Sequence, residues 1–237
     1  MSEPPFGRPW PAPAKLNLFL HVTGRRADGY HELQTLFQLV DLTDEVRIRV
    51  RADGRIVRTE GPADVAPDAD LVVRAARLLR ELAGRPELGA DLAVTKRIPL
   101  GGGLGGGSSD AATALVALDR LWGLDLGEEA LAALGLQLGA DVPVFVRGVT
   151  ALGEGVGERL ARVEVAPAWF AIVHPGLAVA TGPVFQAPEL TRNSVPITIR
   201  GSFSPGWPAH ELPGRNDLEP VVAARHAPVR AALDWLG

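Results

Sequence analysis

Six of the seven residues from 101 to 107 are glycine, broken only by Leu104, and the run opens directly onto SSDAATALVALDRLWG. No other feature restricts this chain's fold and chemistry as strongly. Successive glycines let backbone N–H groups converge on one concavity and let a ligand approach the main chain closely. Ser108, Ser109 and Asp110 follow where a helix start is predicted, with its N-cap residues and the positive end of its dipole. A glycine loop feeding a helix N-terminus makes an anion site, most naturally for phosphate. A flexible linker shares the composition but seldom runs straight into a long Ala- and Leu-rich helix. The P-loop pattern is excluded, because it needs Lys directly after the last glycine and Ser108 stands there. The protein-kinase pattern is excluded by the lack of HRD and DFG segments. Gly101, Gly103 and Gly106 satisfy G-x-G-x-x-G, yet so dense a run satisfies most glycine patterns. A dinucleotide-binding unit also heads a series of βαβ repeats, whereas antiparallel signals precede this loop.

Composition narrows the class further. The 237 residues are 46% hydrophobic and 22% charged, an ordinary globular balance long enough to bury its own core. With no cysteine there is no disulfide scaffold, Cys-ligated zinc, iron–sulfur cluster or thiol nucleophile. A net charge of −4 without any Lys/Arg block argues against nucleic acid as a partner. No apolar run approaches the roughly 18 residues of a membrane span. The start, MSEPPFGRPWPAPAK, reads as a Pro-rich lead-in and not a signal peptide, so a soluble cytoplasmic protein is expected. Of 24 basic residues, 22 are arginine, and Lys15 and Lys96 are the only lysines. A compact ammonium with an adjustable pKa does what a guanidinium fork does not, so both positions stand out.

Along the chain, AKLNLFLHV alternates as a half-buried strand, followed by an Asp28–Gly29 turn and two strand-like runs, LQTLFQLV and DEVRIRV. The first 60 residues therefore predict an antiparallel sheet. Residues 70–83 show helical spacing, DLAVTKRI a strand, and EEALAALGLQLGA a helix; DVPVFVRG and EVAPAWFAIVHP are predicted strands. Residues 181–215 are rich in Pro, Gly and Ser, and the chain ends on a helical segment. The pattern predicts an α+β protein of two domains, residues 1–160 and 161–237.

PLGGGLGGGSSDAA resembles the ATP-binding motif of the GHMP kinase superfamily. PAKLNLFLHVTGRRADGYHELQTLFQLVDL, GADVPVFVRG and the NDLE at 216–219 narrow the resemblance to the branch whose alcohol substrate carries a cytidine diphosphate group. The resemblance implies a two-domain GHMP kinase fold and transfer of the γ-phosphoryl group of ATP to the substrate's 2-hydroxyl, with Mg2+, in non-mevalonate isoprenoid synthesis. It places an acid–base pair on Asp141 and Lys15. A carboxylate accepts the hydroxyl proton as the bond forms, and a nearby lysine keeps it ionised and offsets phosphoryl charge. Without the resemblance, Asp141 reads as a turn residue before a strand at Val142. For ATP the resemblance implies Pro99, Gly101, Gly102, Gly103, Leu104, Gly105, Gly106, Gly107, Ser108 and Ser109, with Lys96 near the adenine. For substrate it implies Asn17, on the same strand face as Lys15, together with Tyr30, His31, Thr181 and Phe185. An aromatic ring can stack on cytosine and a histidine can read its polar edge. No metal ligand is assigned.

Asp70–Leu71 stands where relatives usually read Asn-Leu. A Gly-Ser-Gly-type motif, usual soon after the position of DWLG, is absent, so the C-terminal domain is expected to be truncated. Three other readings stay open: a sibling kinase for homoserine or mevalonate, a dinucleotide-binding oxidoreductase with a doubly wound parallel sheet, and a binding-only protein.

Overall fold

The computed structural model describes residues 6–197 and 214–237. Residues 1–5 of the lead-in and 198–213 of the Pro-, Gly- and Ser-rich stretch lie outside the described residues. The chain forms two compact units, each assembled from separated pieces: Met1–Lys15, Leu39–Pro99 and Gly105–Gly148, then Leu16–Gln38, Leu100–Leu104 and Val149–Gly237. Two long strands, β1 (Trp10–Arg25) and β2 (His31–Arg51), contribute to both. The two runs LQTLFQLV and DEVRIRV are thus one continuous strand.

In the first unit, the end of β2 pairs antiparallel with β4 (Gly89–Thr95), from Glu45 opposite Thr95 to Arg51 opposite Gly89. The short β3 (Ile56–Glu60) joins β4 in parallel, a departure from the all-antiparallel expectation. Helix α1 (Leu71–Ala83) has Asp70 as its N-cap, accepting from the Val72 N–H, and Gly84 in the left-handed conformation at its end. It packs on α2 (Gly106–Trp122), which packs in turn on α4 (Val142–Arg147); α3 (Glu128–Leu136) also packs on α4. The alanines of α2 that fall on its inner face, Ala111, Ala114 and Ala117, are fully buried, so neighbouring backbones approach closely. Val46, Ile48, Val72, Leu79, Leu92, Leu115 and Leu118 fill the core.

In the second unit, the start of β2 pairs antiparallel with β5 (Ala151–Gly155), and β5 with β6 (Arg159–Arg162). Its core joins Leu20 and Val22 of β1 to Val184 of α5 (Thr181–Phe185), Ala187, Leu190 and Val221 of α6 (Glu219–Arg225). The last element is α7 (Ala227–Leu236). Asp217, of the NDLE segment, accepts from the Val22 N–H at 2.8 Å, the Ser194 hydroxyl at 2.6 Å and Arg215 Nε at 2.8 Å. One buried carboxylate thus pins the C-terminal segment to β1.

Three sequence expectations need correction. DVPVFVRG is helix α4, with Pro143 in its first turn and a left-handed Gly148 at its end, both helix-boundary residues. EVAPAWFAIVHP is not a strand: residues 166–175 pair with no strand among the described residues, and Trp169 is 98% exposed. Helix α2 starts at Gly106, so Ser108 and Ser109 lie inside its first turn and not at its cap. The antiparallel pairings of β2 also contradict the doubly wound parallel sheet of the oxidoreductase reading. Among the described residues, no helix is long and apolar enough to cross a membrane.

Candidate active site

The N-terminus of α2 is built from the glycine run. Gly105 is its N-cap with φ +73°, a left-handed conformation that suits glycine. A Cβ there would also lie 2.7 Å from Cζ of Phe145 and 3.2 Å from Cγ of Lys15. Backbone geometry and packing therefore both demand glycine, and the fit brings the loop onto the lysine stem. Ser109 N–H bonds the Gly105 carbonyl at 2.9 Å, closing the first turn. The N–H groups of Gly106, Gly107 and Ser108 make no backbone hydrogen bond among the described residues. They are the orphan donors of a helix start, at its positive end, suited to hold an anion.

Beside this turn, Lys15 Nζ lies 3.5 Å from Asp141 Oδ2. The lysine side chain is 7% exposed and the aspartate 36%, so the carboxylate meets solvent while the ammonium sits at its back. Asp141 occupies the N-cap position of α4 but makes no side-chain cap bond, which leaves its oxygens free of a structural duty there. Gly139, two residues earlier, faces Ser108: a Cβ on it would be 3.8 Å from Oγ of Ser108. The first unit thus gathers Lys15, Asp141, Gly105 to Gly107 and Ser108 in one place. Ser109 lies deeper, fully buried, its Oγ without a partner among the described residues.

Lys96 has different surroundings. Its ammonium sits between the carboxylates of Asp44 and Asp110, 2.6 Å from Asp110 Oδ2. Asp44 is fully buried, and its other oxygen accepts the N–H groups of Arg97 at 2.5 Å and Ile98 at 2.8 Å. Burial pulls the lysine's pKa down, and the two carboxylates more than reverse this, leaving it raised. Burial pushes Asp110 up to about 7 against the pull of Lys96, with the charge on Asp44 adding to the rise. A Cβ on Gly106 would be 3.2 Å from Lys96 Nζ, so this cluster underlies the first turn of α2. Pro99 continues the segment that Asp44 holds, half-buried.

The second unit holds the remaining candidates. Gly101 has φ +68°, its carbonyl accepts from Val179 N–H at 3.0 Å, and a Cβ there would be 2.4 Å from that of Ala178. Gly102 and Leu104 flank Gly103, which has open space around it. Asn17 donates to the Thr35 hydroxyl at 2.7 Å, and that hydroxyl donates to the Phe19 carbonyl at 2.6 Å. His31 stacks on Phe185 with ring centroids 5.2 Å apart and planes at 28°. Arg192 Nε donates to His31 Nε2 at 3.1 Å. Burial, then Arg192 and Arg25, lower the His31 pKa below its ordinary value. Tyr30 ends the Asp28–Gly29 turn, its N–H bonded to Asp28 Oδ1 at 3.1 Å, and its side chain is 65% exposed. Thr181 opens α5, exposed, four residues before Phe185.

Sequence reasoning missed Asp44, Thr35, Phe145 and Arg192. Each acts through a contact with a residue far off in the chain, which leaves no local pattern. Asp70, flagged as a departure, caps α1 and pairs with Arg58 Nη1 at 2.7 Å.

Residues 70–149 match the GHMP kinases N terminal domain. The chain is 57% identical over 231 residues to a 4-diphosphocytidyl-2-C-methyl-D-erythritol kinase of Halorhodospira halophila, covering 96% of this chain and 77% of that protein. Its identity to the protein of the same name from Alkalilimnicola ehrlichii is 56%, over 98% of this chain and 77% of the relative. Among solved structures, a 4-(cytidine 5'-diphospho)-2C-methyl-D-erythritol kinase superposes with a TM-score of 0.69 at 38% identity, over 92% of this chain and 78% of that one. A mevalonate kinase of L. major, at 17% identity and a TM-score of 0.54, shares the fold.

Proposed function

The chain belongs to the family of 4-diphosphocytidyl-2-C-methyl-D-erythritol kinases, and from that premise we propose that it transfers the γ-phosphoryl group of ATP to the 2-hydroxyl of 4-diphosphocytidyl-2-C-methyl-D-erythritol. The observation that carries the reading is the Lys15–Asp141 pair, 3.5 Å apart beside the open N-terminus of α2. The N–H groups of Gly106, Gly107 and Ser108 hold the nucleotide's phosphates, with Gly101 to Leu104 and Pro99 shaping the loop. Lys96 acts from beneath the loop's helix and holds it in place. Asp141 accepts the proton of the 2-hydroxyl as its oxygen attacks phosphorus, and the Lys15 ammonium beside it offsets charge on the phosphoryl group. Positioning supplies much of the acceleration; well-aligned reactants can lower a barrier by about 7–11 kcal/mol.

The magnesium that this reaction class requires fits as an ion carried on the phosphates. Among the described residues no three His, Cys, Asp or Glu side chains gather into a cage, and Mg2+ often keeps phosphate and water ligands. Ser108 and Asp141 are the oxygen-bearing side chains at hand to hold it from the protein side. When bound, it neutralises phosphate charge. For the acceptor, Tyr30, His31 and Phe185 take the cytosine, and Asn17 and Thr181 the rest of the substrate. The unit of Met1–Lys15, Leu39–Pro99 and Gly105–Gly148 serves chiefly the nucleotide and the other unit chiefly the acceptor, and the setting is the cytoplasm.

ADP release from the 237-residue chain, with ATP, Mg2+ and each of three alcohols in turn, tests this. Turnover with the diphosphocytidyl substrate and not with homoserine or mevalonate is expected. Turnover with either of the latter alone overturns the assignment.

A further inference from the structure

We propose that Arg192 is a positioning residue: it holds His31 as a neutral imidazole with its proton on Nδ1, and thereby selects cytosine over uracil in the substrate. This rests on the reading above that His31 and Phe185 take the nucleobase. Arg192 Nε donates to His31 Nε2 at 3.1 Å. Arginine has no acceptor, so Nε2 must offer a lone pair, and a neutral ring then carries its proton on Nδ1.

The guanidinium is itself tied down. Nη1 donates to the Leu190 carbonyl at 3.0 Å, and Nη2 to those of Phe185 at 3.0 Å and Ala187 at 2.6 Å. One side chain therefore aligns the histidine and the backbone of the phenylalanine stacked on it. The charged groups acting on the ring are Arg192 and Arg25, both cations, so a second proton meets repulsion as well as burial. Arginine stays charged throughout, so the bias persists across neutral pH.

The consequence is chemical. A ring fixed this way presents a donor at Nδ1 and no acceptor. Where that donor is set against N3, cytosine offers an acceptor, whereas uracil has an N–H there and can accept only at O2 or O4, in a shifted pose. A site built around one donor rejects the base that lacks the matching acceptor. Arg192 acts through His31 and touches no substrate atom in this account.

The test uses the whole chain, labelled with 15N-histidine, with His31 assigned by comparison with H31Q. Long-range 1H–15N spectra are expected to show the Nδ1–H tautomer and titration below pH 6.5. In R192Q the ring should revert towards the Nε2–H form and titrate nearer its ordinary value. In parallel, calorimetry with cytidine diphosphate and uridine diphosphate should show preference for the former, narrowed about tenfold in R192Q, the scale of one hydrogen bond. An Nε2–H tautomer in the wild type, or an unchanged ring in R192Q, overturns the proposal. The wild-type tautomer is readable without any variant, so an R192Q chain that does not fold leaves the test intact. Equal binding of the two nucleotides overturns the base selection. Binding of neither removes the cytidine-site reading itself, whereas the tautomer still decides what Arg192 does.

Discussion

The chain's two lysines sit in the same compact unit and have opposite surroundings. Lys96 is held between two buried carboxylates, one of which also grips the backbone N–H groups of Arg97 and Ile98. Lys15 lies 3.5 Å, a long ion-pair distance, from a carboxylate that is 36% exposed and makes no cap bond to its own helix. Short, sealed charges hold structure; a looser pair with an open carboxylate is ready to bind and move a proton. In an arginine-rich chain, both sites kept an ammonium for different physical reasons. At Lys96 a compact point charge fits between two acids under a helix, where a guanidinium fork would not. At Lys15 it sits behind the base and beneath the glycine loop.

The contrast is easiest to break from the Asp141 side. Asp141→Asn removes the proton acceptor without removing a helix cap, and its amide oxygen can still accept from the buried Lys15 ammonium. We expect kcat to fall about 10²- to 10⁴-fold, the usual worth of a general base, with the thermal midpoint little changed. A midpoint lowered as far as activity would show Asp141 to be structural, and the two lysines would then be alike. Lys96→Met should do the reverse. It leaves Asp44 and Asp110 buried without their cation, and breaking a buried pair from one side costs about 3–5 kcal/mol. Urea unfolding measures this. A stable K96M chain with a selective rise in the KM for ATP would move Lys96 from the frame of the site into the site.

Gly105→Ala probes the seam between the two roles. The left-handed backbone costs an L-residue about 1–2 kcal/mol, and crowding of Phe145 adds about 1–3 kcal/mol. Both should appear in the unfolding midpoint. Because the displaced groups include the Lys15 stem, activity at a temperature where the variant is folded should also drop. Activity unchanged in folded G105A would mean that the loop does not set the position of Lys15.

These same residues show what could be read from sequence. The glycine run predicted a phosphate-type loop because glycine density and a following helix are local signals, and the helix is there. Alternation gave β1, and the helical spacing of 70–83 gave α1 with Asp70 ahead of it. DVPVFVRG misled because six residues hold too few turns to display a 3.6-residue period, and its valines favour strands. Pro143 in the first turn and the left-handed Gly148 at the end are its helix-boundary residues. EVAPAWFAIVHP has strand composition, but a strand exists only where another offers a ladder, which is a tertiary fact. The partners Asp44, 52 residues from Lys96, and Arg192, 161 from His31, are invisible for the same reason. Sequence showed which groups were chemically unusual; folding decided which of them were neutralised and which were left open.

The smallest effect concerns the charge left over in the sealed cluster. Two carboxylates share one ammonium, and burial pushes Asp110 up to about 7 from 3.8. Between those values the folded chain keeps a proton that the unfolded chain has released. The associated stability is therefore fully present below about pH 3.8 and is lost as pH rises through about 7, with a slope of at most about 1.4 kcal/mol per pH unit. Asp217 runs the other way. Burial alone would raise its pKa, but hydrogen bonds from Ser194, Val22 and Arg215 outweigh that and hold it low, so its contribution is lost at acid pH. A bare pH–stability curve mixes the two. The difference between wild type and Asp110→Asn separates them. Asn cannot titrate and leaves Lys96 facing Asp44 alone, one charge against one. Wild type should lose stability relative to D110N between pH 5 and pH 8, measured by urea unfolding at each pH. A flat difference would mean that Asp110 stays ionised in the folded chain. The buried cluster would then carry its net negative charge at every pH in that range, and the Lys96 site would be less sealed than its geometry says.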